Sequence, residues 1–383
     1  MGHQIEPNAN DAAASQGEAP SRLFQPTTVG TMQLKHRVGM CPLTRYRASD
    51  DHIPQPAMKE YYSQRASVPG TLIVTEGTFI SDAQAGYEDV PGIFNDAQVA
   101  AWKDITAAVH ARGSFIYCQL WALGRAADAQ VLAKKGHVVV SASDVPEAPG
   151  QPPPTPLTAE GIRQTVADYA GAARRAVAAG FDGVELHGAN GYLIDQFLQD
   201  VTNRRDDEYG GSVARRSRFA VEAVRAVADA VGPARVGIRF SPRSTFQGMG
   251  MADAAGQFAD VLRRLDGLGL AYVHLTEPRV AGNLDTESRE NLDFAYEAYG
   301  GTLLIAGGYD AERARKLVDE ERPDRNIVVM FGRYFISNPD LPFRLKEGVE
   351  LTPYQRQTFY NPQSLEGYTT YPFSPEYLNS VKS

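Results

Sequence analysis

The sequence predicts an α/β fold of the (β/α)8, or TIM-barrel, class, preceded by a short N-terminal hairpin. Eight short apolar runs with the composition of buried strands follow one another along the chain. The segments between them show helical periodicity and are long enough to be crossover helices, which makes the strands parallel. No G-x-G-x-x-G motif follows a strand. The doubly wound fold that carries a resident dinucleotide is therefore disfavoured.

The chain begins with a polar stretch rich in Ala and Ser that carries too little apolar surface to fold, so we expect a disordered tail over residues 1–21. The stretch LFQPTTVGTMQLKHR then alternates in polarity and turns at Gly30, which predicts the hairpin. Residues 22–383 are predicted to form one catalytic domain, because barrels of this class often exceed the usual domain size.

The eight predicted strands are VGMCPLT, TLIVTEG, SFIYCQLW, DGVELHG, RVGIRFSP, AYVHLTE, TLLIAGG and NIVVMFG. Several of the amphipathic stretches between them open with Ser, Thr or Asp and close on Gly, as helix caps require. Four clear examples are DAQVAAWKDITAAVHARG, TAEGIRQTVADYAGAARRAVAAG, SVARRSRFAVEAVRAVADAVG and ADAAGQFADVLRRLDGLG. The Pro-rich segment over residues 147–156 follows the third strand and is predicted to be a rigid, extended loop on the catalytic face.

Composition excludes several classes of protein. The net charge of -8 and the pI near 5.5 argue against a nucleic-acid partner, because binding to phosphates depends on clustered Lys and Arg. No apolar run approaches the roughly 20 residues needed to span a bilayer, and the N-terminus lacks the apolar centre of a signal peptide. We therefore expect a cytoplasmic protein without a membrane partner, either a monomer or a homodimer.

Two cysteines and scattered histidines exclude a disulfide framework and make a metal site improbable. Both cysteines, Cys41 and Cys118, lie in apolar runs and are interpreted as buried thiols. Because Cys41 lies near a strand end, a redox-sensing role is kept as the alternative.

In such barrels the reactive groups project from the carboxyl ends of the strands. These ends carry Pro42, Leu43, Thr44, Glu76, Gly77, Gln119, Trp121, His187, Asn190, Arg239, Thr276, Glu277, Gly307, Gly308, Gly332 and Arg333. No lysine is among them, which excludes a Schiff-base aldolase. Nor do carboxylates converge there as a divalent metal site would need.

The last two strands end in AGG and FGR, where glycine amides can approach a phosphate and Arg333 can bind its oxygens. This pattern favours a phosphate-bearing ligand, although Gly pairs at strand ends are also ordinary turns. Gln119 and Arg239 would offer donors to a planar heterocycle rich in carbonyl groups, and Thr44 supplies a hydroxyl.

The stretch VELHGANGYLIDQFLQD places three polar side chains where the fourth strand gives way to a helix. His187 and Asn190 can both donate to one carbonyl or anionic oxygen, while the Tyr192 phenol can deliver a proton. The three residues together could bind and polarise one carbonyl oxygen through two hydrogen bonds and supply a proton.

Six motifs resemble signatures of one family in its own order, and together they extend over residues 22–375. They are LKHRVGMCPLTRYRA, TEGTFIS, HGANGYLIDQFLQDVTNRRDDEYGGSVARRSRF, GIRFSP, LTEPRV and GRYFISNPDLPFRL. The chain thereby resembles the Old Yellow Enzyme family of flavin-dependent ene-reductases, to which the plant oxophytodienoate reductases belong. The His-x-x-Asn spacing is similar to the yeast-like members, and retention of Tyr192 favours net reduction.

The resemblance implies that FMN is bound across the barrel mouth by Pro42, Leu43, Thr44, Gly77, Gln119, Arg239, Gly307, Gly308, Gly332 and Arg333. It also implies that His187 and Asn190 bind the substrate carbonyl, that Tyr192 donates the proton, and that the pocket is lined by Trp121, Phe246, Tyr360 and Phe359. The implied reaction is a ping-pong reduction of α,β-unsaturated aldehydes or ketones, with NADPH or NADH as the transient hydride donor.

Three alternatives stay open. One is a flavin nitroreductase or nitrate-ester reductase, which the same pocket could support without Tyr192. A second is a specialised fungal biosynthetic reductase of an enal. The third is a barrel that binds a phosphate ligand but has lost catalysis.

Overall fold

The computed structural model describes residues 20–281, 284–285 and 290–382. Within these residues, eight parallel strands close into a barrel in which chain neighbours pair and the last strand pairs with the first. The strands are β1 (Val38–Met40), β2 (Leu72–Phe79), β3 (Phe115–Trp121), β4 (Gly183–Gly188), β5 (Val236–Phe240), β6 (Tyr272–Thr276), β7 (Leu303–Ala306) and β8 (Ile327–Phe331). The predicted (β/α)8 barrel and its eight strands are confirmed.

Helices lie between the strands and after the last of them. They are α1 (Pro56–Arg65), α2 (Asp96–His110), α3 (Ala129–Lys134), α4 (Ala159–Ala178), α5 (Leu193–Leu198), α6 (Val213–Arg216), α7 (Arg218–Val231), α8 (Ala254–Leu265), α9 (Asp293–Ala298), α10 (Ala311–Lys316), α11 (Arg333–Ser337), α12 (Leu341–Glu347) and α13 (Pro375–Ser380). Two further pairs of short strands lie in the loops. Val140–Ser141 pairs with Thr155–Pro156 in parallel, and Val280–Ala281 pairs with Leu284–Asp285 in antiparallel orientation.

The long helices begin at the polar residues that the sequence suggests as caps. Asn95 and Gln98 form a reciprocal capping box at the start of α2. The side chains of Thr158 and Asp253 accept backbone N–H groups at the starts of α4 and α8. The helix predicted over 212–232 is divided at Ser217, whose hydroxyl lies 3.1 Å from the Val213 carbonyl oxygen. Bonding of a hydroxyl back to the preceding turn bends a helix.

The predicted hairpin closes the amino-terminal end of the barrel. Its strands, Thr27–Val29 and Met32–Leu34, are antiparallel and turn at Gly30, which has φ +54°. A Cβ atom on Gly30 would lie 2.1 Å from the Ala234 carbonyl oxygen, so the turn needs glycine for space as well as conformation. The apolar side chains of the hairpin are buried against the aromatic rings that fill this end of the barrel.

Glycines inside the barrel make room for two of those aromatic rings. A Cβ atom on Gly183 would lie 2.3 Å from Tyr117, and one on Gly237 would lie 2.3 Å from Tyr272. The amino-terminal half of the barrel is consequently filled by side chains, as in other barrels of this class. The polar side chains of the same strands lie nearer their carboxyl ends.

The predicted tail falls almost entirely outside the described residues, which begin at Pro20. The assignment of residues 22–383 to one domain stays a prediction. Among the described helices, none is both long and apolar enough to cross a membrane.

Candidate active site

A cavity of about 820 Å³ opens at the carboxyl ends of the barrel strands. Every predicted site residue except Gly77 lines it. The lining residues that the sequence predicted are Pro42, Leu43, Thr44, Gln119, Trp121, His187, Asn190, Tyr192, Arg239, Phe246, Gly307, Gly308, Gly332, Arg333, Phe359 and Tyr360. The fold thus brings together side chains that are separated by more than 300 positions in the sequence.

Gly77 is not among the residues that line the cavity. It pairs with Gln119 across β2 and β3, after an irregularity in the strand register that begins at Val74. A Cβ atom on Gly77 would lie 2.3 Å from Cε3 of Trp121. Any side chain at position 77 would therefore push the indole towards the cavity. A direct contact between Gly77 and a cofactor stays a prediction.

Gln119 and Arg239 present polar groups to the cavity from β3 and β5. Nε2 of Gln119 donates to Oε1 of Glu185 at 2.8 Å, which leaves the amide oxygen and one amide hydrogen for a ligand. A terminal nitrogen of Arg239 donates to the Thr276 hydroxyl at 3.2 Å. Nε of Arg239 is buried and has no hydrogen-bond partner among the described residues. Such an unsatisfied donor indicates a missing acceptor.

The residues predicted to bind a phosphate lie together, because they follow the adjacent strands β7 and β8. Gly307 and Gly308 have φ values of +137° and +66°, so both depend on glycine conformations. Gly332 precedes α11, whose first residue is Arg333. The Arg333 guanidinium lies 5.5 Å from the centre of the Tyr354 ring.

A backbone N–H group just after the end of β4 fixes the tautomer of His187. Its Nδ1 accepts the backbone N–H of Ala189 at 3.3 Å. Burial, with the Arg239 guanidinium as the next cause, lowers the pKa of His187 well below its usual value. The imidazole is therefore neutral with its hydrogen on Nε2, which is the nitrogen left free to donate to a ligand.

Asn190 lies in a tight turn between β4 and α5. Its φ is +57°, a left-handed conformation that Asn tolerates better than most residues. Its backbone N–H donates to the Ser241 hydroxyl at 2.7 Å, which joins the turn to the end of β5. Gln196 also supports the turn, because its Nε2 donates to the Gly191 carbonyl at 2.7 Å. The backbone that presents Asn190 and Tyr192 is therefore held from both sides.

Tyr192 lies against two other aromatic residues of the wall. Its ring is edge-on to Trp121, with centroids 4.8 Å apart, and edge-on to His187, with centroids 4.9 Å apart. Burial raises the pKa of Tyr192 well above its usual value, and the phenols of Tyr87 and Tyr46 add to the increase. The hydroxyl therefore keeps its proton at neutral pH and can act as an acid.

The rim of the cavity is aromatic. Phe246 and Tyr360 are 39% and 47% exposed, respectively, and border the opening. Other lining residues were not predicted from the sequence, among them Tyr46, Tyr87, Gln247, Tyr309 and Tyr354. These lie in loops beyond the strand ends. Tyr46 could have been predicted from the sequence, because it lies in the motif LKHRVGMCPLTRYRA, just after the first predicted strand.

Cys41 also lines the cavity as a free thiol, and Cys118 is buried and free. Burial raises the pKa of both thiols to about 12, so neither is a thiolate at neutral pH. This agrees with their interpretation as buried thiols. Among the described residues, no group of three or more His, Cys, Asp and Glu side chains is placed to hold a metal ion.

Comparison with known proteins places this geometry in a family. The sequence profile of the NADH:flavin oxidoreductase / NADH oxidase family matches residues 22–352. The chain is 55% identical over 366 residues to the chanoclavine-I aldehyde reductase fgaOx3 of Penicillium roqueforti, covering 95% of this chain and 99% of that protein. It is 51% identical over 372 residues to the NADP-dependent oxidoreductase lnbE of Aspergillus flavus, covering 94% and 98%.

The fold agrees with that of a solved structure, the Old Yellow Enzyme from Pichia sp. AKU4542. The TM-score is 0.87 at 39% sequence identity, with 93% of this chain and 94% of that chain covered. The chain therefore belongs to the Old Yellow Enzyme family of flavin-dependent oxidoreductases.

Proposed function

We propose that this oxidoreductase is an ene-reductase that saturates the activated C=C bond of α,β-unsaturated aldehydes and ketones. The observation that carries the proposal is one cavity that is lined by a neutral imidazole, an amide and a protonated phenol. These groups belong to His187, Asn190 and Tyr192. Gln119 and Arg239 line the same cavity.

The residues present fit FMN. The unsatisfied Nε donor of Arg239 and the free amide groups of Gln119 suit the carbonyl-rich pyrimidine ring. Pro42, Leu43 and Thr44, which also line the cavity, would border one edge of the ring. The phosphate would be held by Gly307, Gly308, Gly332 and Arg333. When bound, FMN would supply two-electron chemistry, by which hydride from a nicotinamide donor could be passed on to the substrate.

His187 and Asn190 activate the substrate by binding its carbonyl oxygen. The Nε2–H group of His187 and the side-chain amide of Asn190 are both neutral donors. They stabilise the negative charge that grows on the oxygen as hydride adds to the β-carbon. Because His187 is neutral, it polarises the carbonyl without transferring a proton to it.

Tyr192 completes the reduction by protonating the α-carbon. Its raised pKa keeps the phenol protonated until the α-carbon becomes basic enough to take the proton. One hydride on the β-carbon and one proton on the α-carbon give the saturated carbonyl compound, and the phenol then regains its proton from solvent.

An enal is the favoured substrate class. The fungal relative that acts on chanoclavine-I aldehyde is 55% identical to this chain, and its name specifies an aldehyde. The aromatic rim formed by Phe246, Tyr360 and Tyr87 suits a bulky, largely apolar molecule. The NADP-dependent relative supports NADPH as the hydride donor.

The test is the visible spectrum of the purified protein in three states. We expect a yellow protein that bleaches on anaerobic addition of NADPH and regains its colour when an enal or cyclohexenone is added. Bleached protein that is reoxidised by nitro compounds but by no activated alkene would favour a nitroreductase. A colourless protein that takes up no FMN would favour a barrel without this catalysis.

A further inference from the structure

Glu185 and His274 form a polar pair inside the barrel, next to the groups that face the cavity. Oε2 of Glu185 lies 2.8 Å from Nδ1 of His274, and both side chains are completely buried. Oε1 of Glu185 accepts the Nε2–H of Gln119 at 2.8 Å. Apolar side chains of similar volume often stabilise an interior as well as a buried ion pair does. Stability alone therefore gives little reason for this pair.

Neither member of the pair lines the cavity, but each adjoins a residue that does. Glu185 is opposite Gln119 across β3 and β4. His274 is opposite Arg239 across β5 and β6. Neither residue was predicted from the sequence to belong to the site. Glu185 lies two positions before His187 in β4, and its side chain therefore points to the same side of the strand, towards the barrel interior.

The pair contributes a negative charge that balances Arg239. Burial acts to raise the pKa of Glu185, but the hydrogen bonds from His274 and Gln119 and the positive charge of Arg239 outweigh it and lower that pKa. Burial lowers the pKa of His274 despite the opposing effect of Glu185, so the neutral ring donates its Nδ1–H to the carboxylate. A buried guanidinium without a counter-charge would be costly. The Glu185 carboxylate supplies that counter-charge.

We infer that the Glu185–His274 pair positions and tunes the flavin site, an inference that rests on the proposed binding of FMN. Glu185 takes one amide hydrogen of Gln119 and so fixes which end of that amide meets the pyrimidine ring. The negative charge of Glu185 also weakens the electrostatic effect of the Arg239 guanidinium. Without it, Arg239 would stabilise more strongly the negative charge that two-electron reduction would place near N1 of the flavin. His274 holds the Glu185 carboxylate in this position through the hydrogen bond from its Nδ1–H group.

Glu185→Gln tests the charge at nearly constant side-chain volume. We expect the variant to bind reduced FMN more tightly relative to oxidised FMN, with the ratio of the two dissociation constants changing about tenfold. For a two-electron couple this corresponds to a midpoint potential about 30 mV more positive. The potential is measured by dye equilibration of the holoprotein, and the dissociation constant of oxidised FMN is measured by fluorescence titration of the apoprotein.

Glu185→Asp separates the two effects, because it keeps the charge but withdraws the carboxylate from Gln119. We expect its affinity for oxidised FMN to fall at least fivefold while its potential stays near that of the wild type. Asp340→Asn is the matched control. Asp340 is likewise a buried carboxylate with a close partner, Arg344 at 2.8 Å, but it does not line the cavity. This control should lose stability without any change in potential.

A folded Glu185→Gln protein with wild-type potential and wild-type FMN affinity would overturn the inference. If that variant does not fold, Glu185→Asp decides, and unchanged FMN affinity there would overturn it equally. A wild-type protein that binds no FMN would remove the proposed function and this inference together. A yellow wild type with unresponsive variants would remove the inference alone.

Discussion

The carboxylate of Asp195 accepts the backbone N–H of Gly191 at 2.8 Å, and so the first turn of α5 supports the loop from which the site is presented. Its other oxygen accepts Nε2 of Gln199 at 2.9 Å. The oxygen of Gln199 in turn accepts the backbone N–H groups of Gly250 and Met251. The Gln199 amide donates from its nitrogen and accepts at its oxygen, so it cannot turn over without losing these hydrogen bonds.

Asp195→Asn should weaken both the fold and the site. An amide at position 195 places an N–H group against either Gly191 or Gln199, so one buried donor is left unsatisfied. We expect the free energy of unfolding to fall by about 1 to 3 kcal/mol. Displacement of the turn should also slow the alkene half-reaction roughly 10- to 100-fold. Urea unfolding and stopped-flow absorbance check the two effects, and a variant unchanged in both would contradict this account of the turn.

Tyr192→Phe should separate the two half-reactions. Loss of the phenol proton should slow the reoxidation of reduced protein by an enone by roughly 10²- to 10⁴-fold, as is typical of a general acid. Reduction by NADPH needs no proton from Tyr192 and should be nearly unchanged, which makes it the internal control. Equal losses in both stopped-flow traces would reject Tyr192 as the proton donor.

Neither His187 nor Tyr192 should introduce an inflection into the pH profile of the alkene half-reaction between pH 6 and pH 9. The lowered pKa of His187 means that the ring is already neutral at the acid end of this range. The raised pKa of Tyr192 means that the phenol still holds its proton at the basic end. Single-turnover oxidation of the reduced protein by cyclohexenone measures the profile. An inflection near the ordinary histidine pKa that disappears in His187→Asn would contradict the neutral ring.

Much of this site follows from the sequence because the fold puts strand ends in one place. A buried parallel strand is a continuous apolar run, so the last polar residue after each run marks the barrel mouth. His187, Arg239 and Arg333 were found in this way, and all three line the cavity. The glycine conformations after β7 were likewise anticipated by the AGG motif.

The remaining contacts depend on geometry that periodicity does not encode. The pairing of Glu185 with His274 depends on the relative register of strands that are 89 positions apart. Tyr46 and Tyr87 reach the cavity from loops, whose direction no repeat predicts. Gly77 follows a register irregularity after Val74 and lies against Trp121, a packing arrangement that the apolar run of the strand does not indicate.

Gly77→Ala should disturb the site through the indole. The added methyl group would overlap Trp121, which stacks on His187 with ring centroids 5.9 Å apart. We expect a loss of about 1 to 3 kcal/mol in unfolding free energy, as is typical of overpacking, together with weaker binding of cyclohexenone. Gly171→Ala in α4 is the control, because its nearest neighbour is the flexible end of Arg175. Equal behaviour of the two variants would show that Gly77 has no steric role.

Glu76 should make stability depend on pH in a direction opposite to that of an ordinary ion-paired carboxylate. It is 1% exposed and receives hydrogen bonds from the Tyr62 hydroxyl and the Arg45 backbone. Burial outweighs these contacts and raises its pKa to about 7. At a pH between the pKa of Glu76 in the unfolded chain and its pKa in the folded protein, the folded state binds one more proton than the unfolded state. The contribution of Glu76 to the free energy of unfolding is therefore lost as the pH rises towards 7.

Glu76→Gln, which cannot ionise, isolates this effect from the other titrating groups. As the pH is raised from 5 to 7.5, the unfolding free energy of the variant should improve relative to the wild type by about 2 to 3 kcal/mol. Urea unfolding of both proteins across that range gives the difference directly. A difference that does not change with pH would mean that Glu76 titrates near its ordinary value, and that its hydrogen bonds to Tyr62 and Arg45 offset the cost of burial.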